Sequence, residues 1–336
     1  MFSTQACFPA TEVIMKLLLI FAFGLAASQG AEIKDANSCK SFPCLIFSDD
    51  FNNLDPAAWQ HEVTLGGGGN WEFQAYVKDR SVTYTRDGTL FIKPELTANK
   101  RGEAFLTTGT WDLGAECTND AWFGCKRVGA NGLLNPVLSG RIRTQSFFNF
   151  RFGRVDVRAK MPRGDWLWPA IWLLPKTDHY GGWPASGEID IVEARGEKAP
   201  DEAKLKQCCL SLTSVLYRYY LDDKQVLRVD PGKSFWDFGG LANSGRVNPW
   251  SGGTKMAPFD REFYLILNLA VGGVNGYFPD GLSGSSPKPW SNHQPDAPAA
   301  FWKAKNQWLP SWQNGKPGIS ESASLQVDYI KVWKLS

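Results

Sequence analysis

The chain has 336 residues, and its 36 basic and 34 acidic side chains give a formal net charge of +2, which excludes the electrostatic footprint of a nucleic-acid-binding protein. Hydrophobic residues make up 43% and charged residues 21%, so neither a disordered chain nor a membrane bundle is expected. The 15 Trp residues exceed what a core needs, and because flat rings with a polar edge suit sugar faces, we expect about four of them in a ligand groove and the others in the core.

The N-terminal segment, residues 1–30, has the three regions of a secretory signal peptide. Residues 15–16 (Met-Lys) give a charged start, residues 17–25 form an apolar run, and the small residues 26–28 follow. The apolar run is too short to anchor the chain in a bilayer, and no later stretch is long enough, so we expect a secreted, extracellular protein without a membrane span. Residues 1–14 precede a second Met and are interpreted as an upstream extension.

The cysteines after this segment fall into three pairs: Cys39/Cys44, Cys117/Cys125 and Cys208/Cys209. In an oxidising compartment the first two pairs are plausible short-loop disulfides, since each lies among Ser, Pro, Asn and Gly, where the chain can turn back. Metal binding is the weaker interpretation, because no His lies near them. The third pair consists of neighbouring residues, which can form a disulfide only with strain.

Short β-rich runs bounded by Gly, Pro, Asn and Asp recur along the chain. The runs at 140–144, 153–159 and 325–333 alternate apolar and polar residues, which indicates half-buried antiparallel strands. Long helical periodicity is nearly absent, and no linker, repeat or low-complexity tract divides the chain. We therefore predict one all-β domain over residues 31–336, built as a sandwich or a barrel.

Two further segments carry specific structural predictions. The run at 263–271 is nearly all apolar, which predicts a strand buried on both faces. Asn268 is its one polar residue, and a buried amide of this kind needs hydrogen-bond partners. Residues 290–312 mix Trp, Pro, Asn and Lys and are expected to form an ordered loop with a short helix that covers one edge.

Three carboxylates lie close together on a predicted strand rich in Ile and Val. In a regular strand Glu188 and Asp190 face one side and Glu193 the other, but a bulge would absorb one residue and bring Glu193 to the same face. The spacing alone is a weak signal, whereas the apolar, Trp-containing surroundings strengthen it, because apolar neighbours and like charges raise carboxyl pKa values. Such a pair suits glycoside cleavage with net retention, in which two carboxyl groups stand about 5–5.5 Å apart.

The motif Glu-x-Asp-x-x-Glu at 188–193 resembles the signature of glycoside hydrolase family sixteen, in its laminarinase-like branch. Residues 164–175, which contain Trp-Pro-Ala, are similar to the strand that precedes the motif in this family, and residues 70–74 resemble its Asn-containing groove segment. Residues 255–280 resemble the invertebrate members called β-1,3-glucan-binding or lipopolysaccharide- and β-glucan-binding proteins.

The resemblance implies a two-sheet antiparallel β-sandwich of the jelly-roll type, whose concave face forms a groove for glucan. Carried over by motif, Glu188 is the nucleophile and Glu193 the acid/base residue. Asp190 is expected to donate a hydrogen bond to Glu188 and to help keep it ionised. The chemistry of this pair requires no metal and no cofactor, and none is expected.

The resemblance also implies how the substrate is held. Asn70, Trp168 and Trp183 are expected to line the sugar subsites, and Asn268 is assigned to substrate binding as well. Trp172 is expected to be a core residue instead. The implied ligand is β-1,3-glucan polysaccharide, with other microbial cell-wall glycans as further candidates, and no nucleic-acid partner is expected.

The resemblance covers residues 39–198 and 219–336 but is interrupted between them. After the motif the family continues with strands that contain Leu-His-Trp-Gly and Phe-His-x-Tyr-x-x-x-Trp, and neither pattern occurs at 199–218. We predict that several tens of residues are missing here, through a skipped exon or a faulty gene model. Loss of a strand beside the motif would leave backbone groups of the sheet unpaired.

These observations support two functions of different classes. The retained Glu188 and Glu193 favour a retaining endo-β-1,3-glucanase. The missing segment and the likeness to binding proteins favour a non-catalytic pattern-recognition protein of innate immunity that binds microbial β-glucan. A third expectation is that this chain does neither because it cannot fold.

Overall fold

The computed structural model describes residues 30–196 and 206–336. Apart from Gly30, the predicted signal peptide lies outside the described residues, and so do residues 199–205 of the atypical segment. The described chain is mostly β-structure, and its long strands form two sheets of antiparallel pairs. The fold is the predicted two-sheet β-sandwich of the jelly-roll type, and the barrel alternative was wrong.

The strands, in chain order, are β1 (Glu32–Ile33), β2 (Cys44–Asp49), β3 (Gln60–His61), β4 (Gln74–Tyr76), β5 (Thr83–Arg86), β6 (Thr89–Ile92), β7 (Glu95–Leu96), β8 (Thr110–Asp112), β9 (Lys126–Val128), β10 (Val137–Ser139), β11 (Arg141–Arg143), β12 (Gly153–Lys160), β13 (Leu167–Pro175), β14 (Ile189–Glu193), β15 (Lys206–Leu212), β16 (Tyr217–Leu221), β17 (Lys224–Val229), β18 (Phe263–Val271) and β19 (Leu325–Lys334). Short α-helices span Thr97–Arg101, Phe105–Thr108, Phe235–Phe238, Ala297–Lys303, Lys305–Trp308 and Pro310–Gln313, and 3-10 turns span Ala36–Ser38, Gly67–Gly69, Gly114–Glu116, Gly129–Asn131 and Glu321–Ala323. No helix within residues 30–196 or 206–336 is long and apolar enough to cross a membrane.

The larger sheet has nine strands. Its main path has the order β1-β2-β19-β12-β15-β16-β17, and β6, with β5 beside it, also pairs with β19. The second sheet, which we call the groove sheet, has five strands in the order β14-β13-β18-β11-β3. Two minor sheets, β4-β10-β7 and β8-β9, lie outside this pair.

Alternation along the central strands separates the core from the groove. All nine residues of β18 are buried, as predicted, but only one side of the strand faces the core. Phe263, Leu265 and Leu267 pack in the core, whereas Tyr264 and Asn268 line a groove on the opposite face. Because successive strand side chains point to opposite faces, a continuous apolar run can bury one row in the core and leave the next row on the groove floor.

The Trp-rich segment at 290–312 contains short helices, in line with the prediction. Its aromatic side chains are buried in the core: Trp290, Trp302, Trp308 and Trp312. The ring of Trp308 stacks on Phe301 with centroids 4.3 Å apart, and aromatic pairs of this kind add to the stabilisation from area burial. Most of the Trp excess is therefore structural.

The described part of the atypical segment extends the larger sheet. β15 pairs with β12 and with β16, and β17 ends the path. β14 pairs with β13, and no other strand of the described ranges pairs with it. The strand that carries the carboxylate motif is therefore an edge of the groove sheet within the part of the chain that the structure describes.

The two predicted short-loop disulfides are confirmed. Cys39 bonds to Cys44, and Cys117 bonds to Cys125. The adjacent Cys208 and Cys209 lie in β15, where successive side chains point to opposite faces of the sheet. No group of His, Cys, Asp and Glu side chains in residues 30–196 or 206–336 is arranged to hold a metal ion.

Candidate active site

A groove of about 780 Å³ lies on the face of the groove sheet that points away from the core. All seven residues that the sequence assigns to catalysis or substrate binding line it: Asn70, Trp168, Trp183, Glu188, Asp190, Glu193 and Asn268. Their presence in one groove depends on strands and loops that are far apart in the sequence. The groove is also lined by Trp122 and Trp172, so four Trp residues face it.

A bulge aligns the three carboxylates. Ala170 of β13 lies opposite Glu193 and Trp172 lies opposite Asp190, so two steps along β13 correspond to three along β14. The extra residue of β14 returns Glu193 to the face that Asp190 occupies. Glu188, immediately before the strand, lines the same groove.

Glu188 is partly buried in the groove wall. Burial raises the pKa of its carboxyl group, and the neighbouring charge of Glu193 raises it further. Two groups act in the opposite direction on this pKa: Trp183 Nε1 donates a hydrogen bond to Glu188 Oε2 at 2.8 Å, and Arg141 supplies a positive charge. Glu188 is therefore the carboxylate of the cluster whose ionised form has both a hydrogen-bond donor and a cation to stabilise it.

Asp190 lies between the two glutamates. Loss of hydration in the groove raises its pKa from 3.8 to about 7, and repulsion from Glu188 and Glu193 contributes to the shift. The raised pKa favours the protonated form of Asp190, although its side chain is exposed to the open groove. A protonated carboxyl has an O–H to donate, which is what the predicted hydrogen bond to Glu188 requires. The hydrogen bond that Glu188 accepts in the structure comes from Trp183.

Glu193 is held by an aromatic pair. Trp168 Nε1 donates a hydrogen bond to Glu193 Oε1 at 3.0 Å. The Trp168 ring stacks on Tyr277, with centroids 3.7 Å apart and planes 7° from parallel. The hydrogen bond from Trp168 thus fixes the orientation of the Glu193 carboxylate through its Oε1 atom.

The assignment of Trp172 to the core was wrong, because this residue lines the groove. It occupies the β13 position opposite Asp190, and its side chain follows the same face as the carboxylates. Trp172 Nε1 donates to Asn268 Oδ1 at 2.6 Å, and Asn268 Nδ2 donates to Tyr76 Oη at 3.1 Å. Asn268 therefore has the hydrogen-bond partners that its burial demands, and its side chain orients Trp172.

A buried glutamate in the groove lining, Glu72, continues this network by accepting a hydrogen bond from Tyr76 Oη at 3.4 Å. Burial raises the pKa of Glu72, and hydrogen bonds from Asn70 Nδ2 at 3.0 Å and Gln74 Nε2 at 2.8 Å oppose the shift. The Asn70 amide oxygen accepts a hydrogen bond from Asn275 at 2.8 Å. Asn70 is thus fixed from both sides, with its side chain at the edge of the groove.

Arg141 of β11 is a groove residue that the sequence analysis did not identify. Its side chain is 13% exposed, its Nε lies 3.0 Å from Glu62 Oε2, and its guanidinium lies 4.8 Å from the centroid of the Trp172 ring. Arg143 contacts the same oxygen of Glu62 at 3.2 Å. No sequence motif identifies an Arg on a short strand as functional. The position of Arg141 in the groove follows from the pairing of β11 with β18.

The comparisons with known proteins identify the family of this chain. The family model described as the XgeA-like catalytic GH16 domain matches residues 136–211. A β-1,3-glucan-binding protein from Penaeus monodon is 51% identical over 348 residues, covering 91% of this chain and 94% of that protein. The chain belongs to family GH16, in the branch of the invertebrate β-1,3-glucan-binding proteins.

Two more distant comparisons place this GH16 chain among its relatives. A β-1,3-glucan-binding protein 1 from Galleria mellonella is 32% identical over 336 residues, covering 89% of this chain but 66% of that protein, so the chain spans about two thirds of that insect relative. The crystal structure of the laminarinase from Rhodothermus marinus matches with a TM-score of 0.53 at 24% identity, over 87% of this chain and 98% of that one. At this identity the likeness shows the shared fold.

The alignment with the Penaeus protein has one further property. It extends over 348 positions, more than the 336 residues of the whole GH16 chain, although only 91% of the chain takes part. Several tens of positions of that relative therefore have no counterpart here.

Proposed function

We propose that this GH16 protein hydrolyses internal β-1,3-glucosidic bonds of glucan with retention of anomeric configuration. The observation that carries the proposal is the bulge in β14, which turns Glu188, Asp190 and Glu193 to one face of a Trp-lined groove. Nothing in the role of a solvated strand face calls for three aligned carboxylates beside indole rings. A retaining glycosidase, in contrast, uses one carboxylate as nucleophile and one carboxylic acid as proton donor.

In the first step, Glu188 attacks the anomeric carbon while the glycosidic C–O bond breaks. Glu193 donates its proton to the leaving oxygen, so that a glycosyl ester of Glu188 forms and the leaving chain departs as an alcohol. The Trp183 hydrogen bond and the charge of Arg141 lower the pKa of Glu188 against the effect of burial, and so favour the ionised form that can attack. Trp168 occupies Oε1 of Glu193, which leaves Oε2 to carry the proton.

In the second step, Glu193 removes a proton from water, and the water oxygen attacks the same carbon. The bond to Glu188 breaks, and its carboxylate is restored. Asp190, with a pKa of about 7, limits the charge in this cluster, because its protonated form adds no third negative charge beside the glutamates.

We also propose that the protein is extracellular and that β-1,3-glucan, together with related microbial cell-wall glycans, is its ligand. The signal-peptide pattern in residues 1–30 supports export. Two disulfides are stable in an oxidising compartment and rare in a reducing one. The named binding activity of the Penaeus and Galleria relatives supports the choice of glucan.

The nucleophile is tested by measuring reducing sugar released from a β-1,3-glucan by the full chain and by Glu188→Gln. We expect release to fall by a factor of about 10³ or more, because the covalent step loses its attacking group. Glu262→Gln is the matched control, since the side chain of Glu262 is 54% exposed and pairs with Lys176 at the surface. Undiminished release by Glu188→Gln would refute the assignment.

The acid/base residue and the stereochemistry have a separate test. Glu193→Gln should lose activity on glucan. On an aryl β-glucoside oligomer, whose phenol leaves without protonation, it should keep the first step but not fast turnover, so a burst of released phenol should precede slow hydrolysis of the glycosyl ester. Proton NMR of the first product should show the β anomer, as retention requires. An α anomer as first product would contradict the double-displacement mechanism.

The second candidate function is recognition of microbial β-glucan without turnover, as part of innate immunity. Two observations favour it: the 51% identical relative is named for binding, and several tens of its residues have no counterpart here. We propose that these residues are the segment missing after Glu193. Binding to insoluble β-1,3-glucan, without sugar release by the wild-type chain, would favour this candidate over hydrolysis.

A further inference from the structure

A loop closed by the Cys117–Cys125 disulfide presents two neighbouring aromatic residues to solvent. Trp122 is 47% exposed and Phe123 is 72% exposed. Both have positive φ angles, 52° for Trp122 and 61° for Phe123, a conformation that bulky residues seldom adopt. The surrounding structure therefore holds this conformation against its intrinsic cost, and such positions often serve a function.

Contacts with the glycine run at 66–69 hold the loop in place. A Cβ atom on Gly66 would lie 2.6 Å from the carbonyl oxygen of Ala121, and a Cβ atom on Gly69 would lie 3.1 Å from the six-membered ring of Trp122. Absence of both side chains lets the loop and the ring approach the backbone. Arg127 Nη2 also donates to the carbonyl oxygen of Trp122 at 3.1 Å.

The loop packs beside β3, at the edge of the groove sheet opposite β14. Thr118 donates its backbone N–H to the carbonyl oxygen of Val63, just after β3, and β3 is the strand farthest from β14 in the groove sheet. Four strand spacings of about 4.8 Å separate these edges by roughly 19 Å. Trp122 and Asn119 of the loop line the same continuous groove as Glu188.

We propose that Trp122 is a distal platform on which a glucose ring of a long β-1,3-linked chain stacks, remote from the bond that is cleaved. This inference rests on the proposed glucan-directed function. A flat ring with one exposed surface suits the apolar face of a pyranose, and the loop is fixed by the disulfide and the glycine contacts before the ligand arrives. Asn119 of the same loop also lines the groove, where sugar hydroxyl groups need polar partners.

The platform makes glucan affinity depend on chain length. We expect a short oligomer bound around Glu188 to leave Trp122 uncovered, whereas a long chain gains the additional contact. Trp122→Ala should therefore weaken binding of a soluble β-1,3-glucan of high polymer length by about tenfold, and leave binding of a β-1,3-linked glucose trimer unchanged. Trp122→Phe should retain most of the affinity for the long chain.

The measurement is isothermal titration calorimetry with both ligands, in the full chain that carries Glu188→Gln to prevent turnover. Phe123→Ala is the matched control, since Phe123 is more exposed than Trp122 and is not among the residues that line the groove. Its affinity for both ligands should equal that of the parent protein. Thermal melting of each variant checks that the disulfide loop remains folded.

The possible outcomes separate this proposal from the proposed function. If the parent protein binds both glucans and Trp122→Ala binds the long chain equally well, the platform proposal is wrong and the glucan-directed function is unaffected. Equal weakening for trimer and polymer overturns the distal position. Parent protein that binds neither ligand overturns the function and the platform together.

Discussion

Arg141 connects the stability of the groove sheet to the ionisation of Glu188, and Arg141→Met tests that connection. The guanidinium is held by Glu62 at 3.0 Å and lies against the Trp172 ring, while its charge lowers the pKa of Glu188. Methionine keeps an unbranched apolar stem of similar reach but has no charge. The substitution therefore removes the cation while leaving most of the packing in place.

The magnitude follows from the burial of the pair. Removing one partner of a buried ion pair costs about 3–5 kcal/mol, because the other charge is left without compensation. Arg143 still contacts the same Glu62 oxygen at 3.2 Å, so we expect the lower end, about 3 kcal/mol in the free energy of unfolding. The pKa of Glu188 should rise, and since the nucleophile must be ionised, the acidic limb of the pH profile should move to higher pH.

Urea unfolding gives the stability change, and kcat/KM for glucan hydrolysis against pH gives the position of the limb. In a protein without turnover, carbon NMR of the Glu188 carboxyl follows the same ionisation. Arg143→Met is the matched control: it removes a second contact to Glu62, but Arg143 does not lie over the Trp172 ring, and we expect lower stability with the limb unmoved. A limb that stays in place in Arg141→Met would refute the proposed action on Glu188.

Three further predictions concern the carboxylates, the groove floor and the free sheet edge. The folded pKa of Asp190, about 7, exceeds its ordinary value of 3.8, so the stability that this group contributes is fully present below about pH 4 and is lost as pH rises through 7. Urea unfolding of Asp190→Asn should therefore show a smaller decrease in the free energy of unfolding between pH 4 and pH 7 than the parent shows. An unchanged pH dependence in this variant would contradict the shift. Asn268→Leu leaves Trp172 Nε1 without its acceptor and removes one of the two partners of Tyr76 Oη, which still donates to Glu72. The change should cost about 1–3 kcal/mol in the free energy of unfolding, with weaker glucan binding by calorimetry, and a variant as stable as the parent would argue against the network. Val226 is 61% exposed on the edge strand β17 and should promote association of protein molecules through that edge. Val226→Lys should therefore lower the light scattering of concentrated protein, and scattering equal to that of the parent would exclude this edge as the cause of association.

The edge position of β14 gives the interruption after Glu193 a physical meaning. An edge strand presents unpaired backbone groups on one side, and among the strands of residues 30–196 and 206–336 the one that carries the proposed catalytic carboxylates is such an edge. The described residues nevertheless form an extensive core that spans both sheets. The carboxylate geometry depends on β13, which pairs with β14 along one side and with β18 along the other.

The sequence by itself determined the features that depend on short-range pattern. Alternation of apolar and polar residues predicts an all-β sandwich or barrel, and the family resemblance selects the sandwich. The two close cysteine pairs among turn-forming residues predict both disulfides, and the Glu-x-Asp-x-x-Glu spacing predicts the bulge that aligns Glu193 with Asp190. The strand and bulge predictions follow from the direction in which neighbouring side chains point, and the disulfide predictions follow from short loops of turn-forming residues.

Only the tertiary structure decided which face of each strand borders the groove and which distant residues meet there. Trp172 has the same apolar character as a core Trp, and it lies in the groove because its strand position is opposite Asp190 across β13 and β14. Arg141 and Trp122 belong to the site because β11 pairs with β18 and because the Cys117–Cys125 loop packs on the glycine run at 66–69. The physical reason is that pairing register and loop packing are set by contacts between segments far apart in the chain, which a local pattern does not encode.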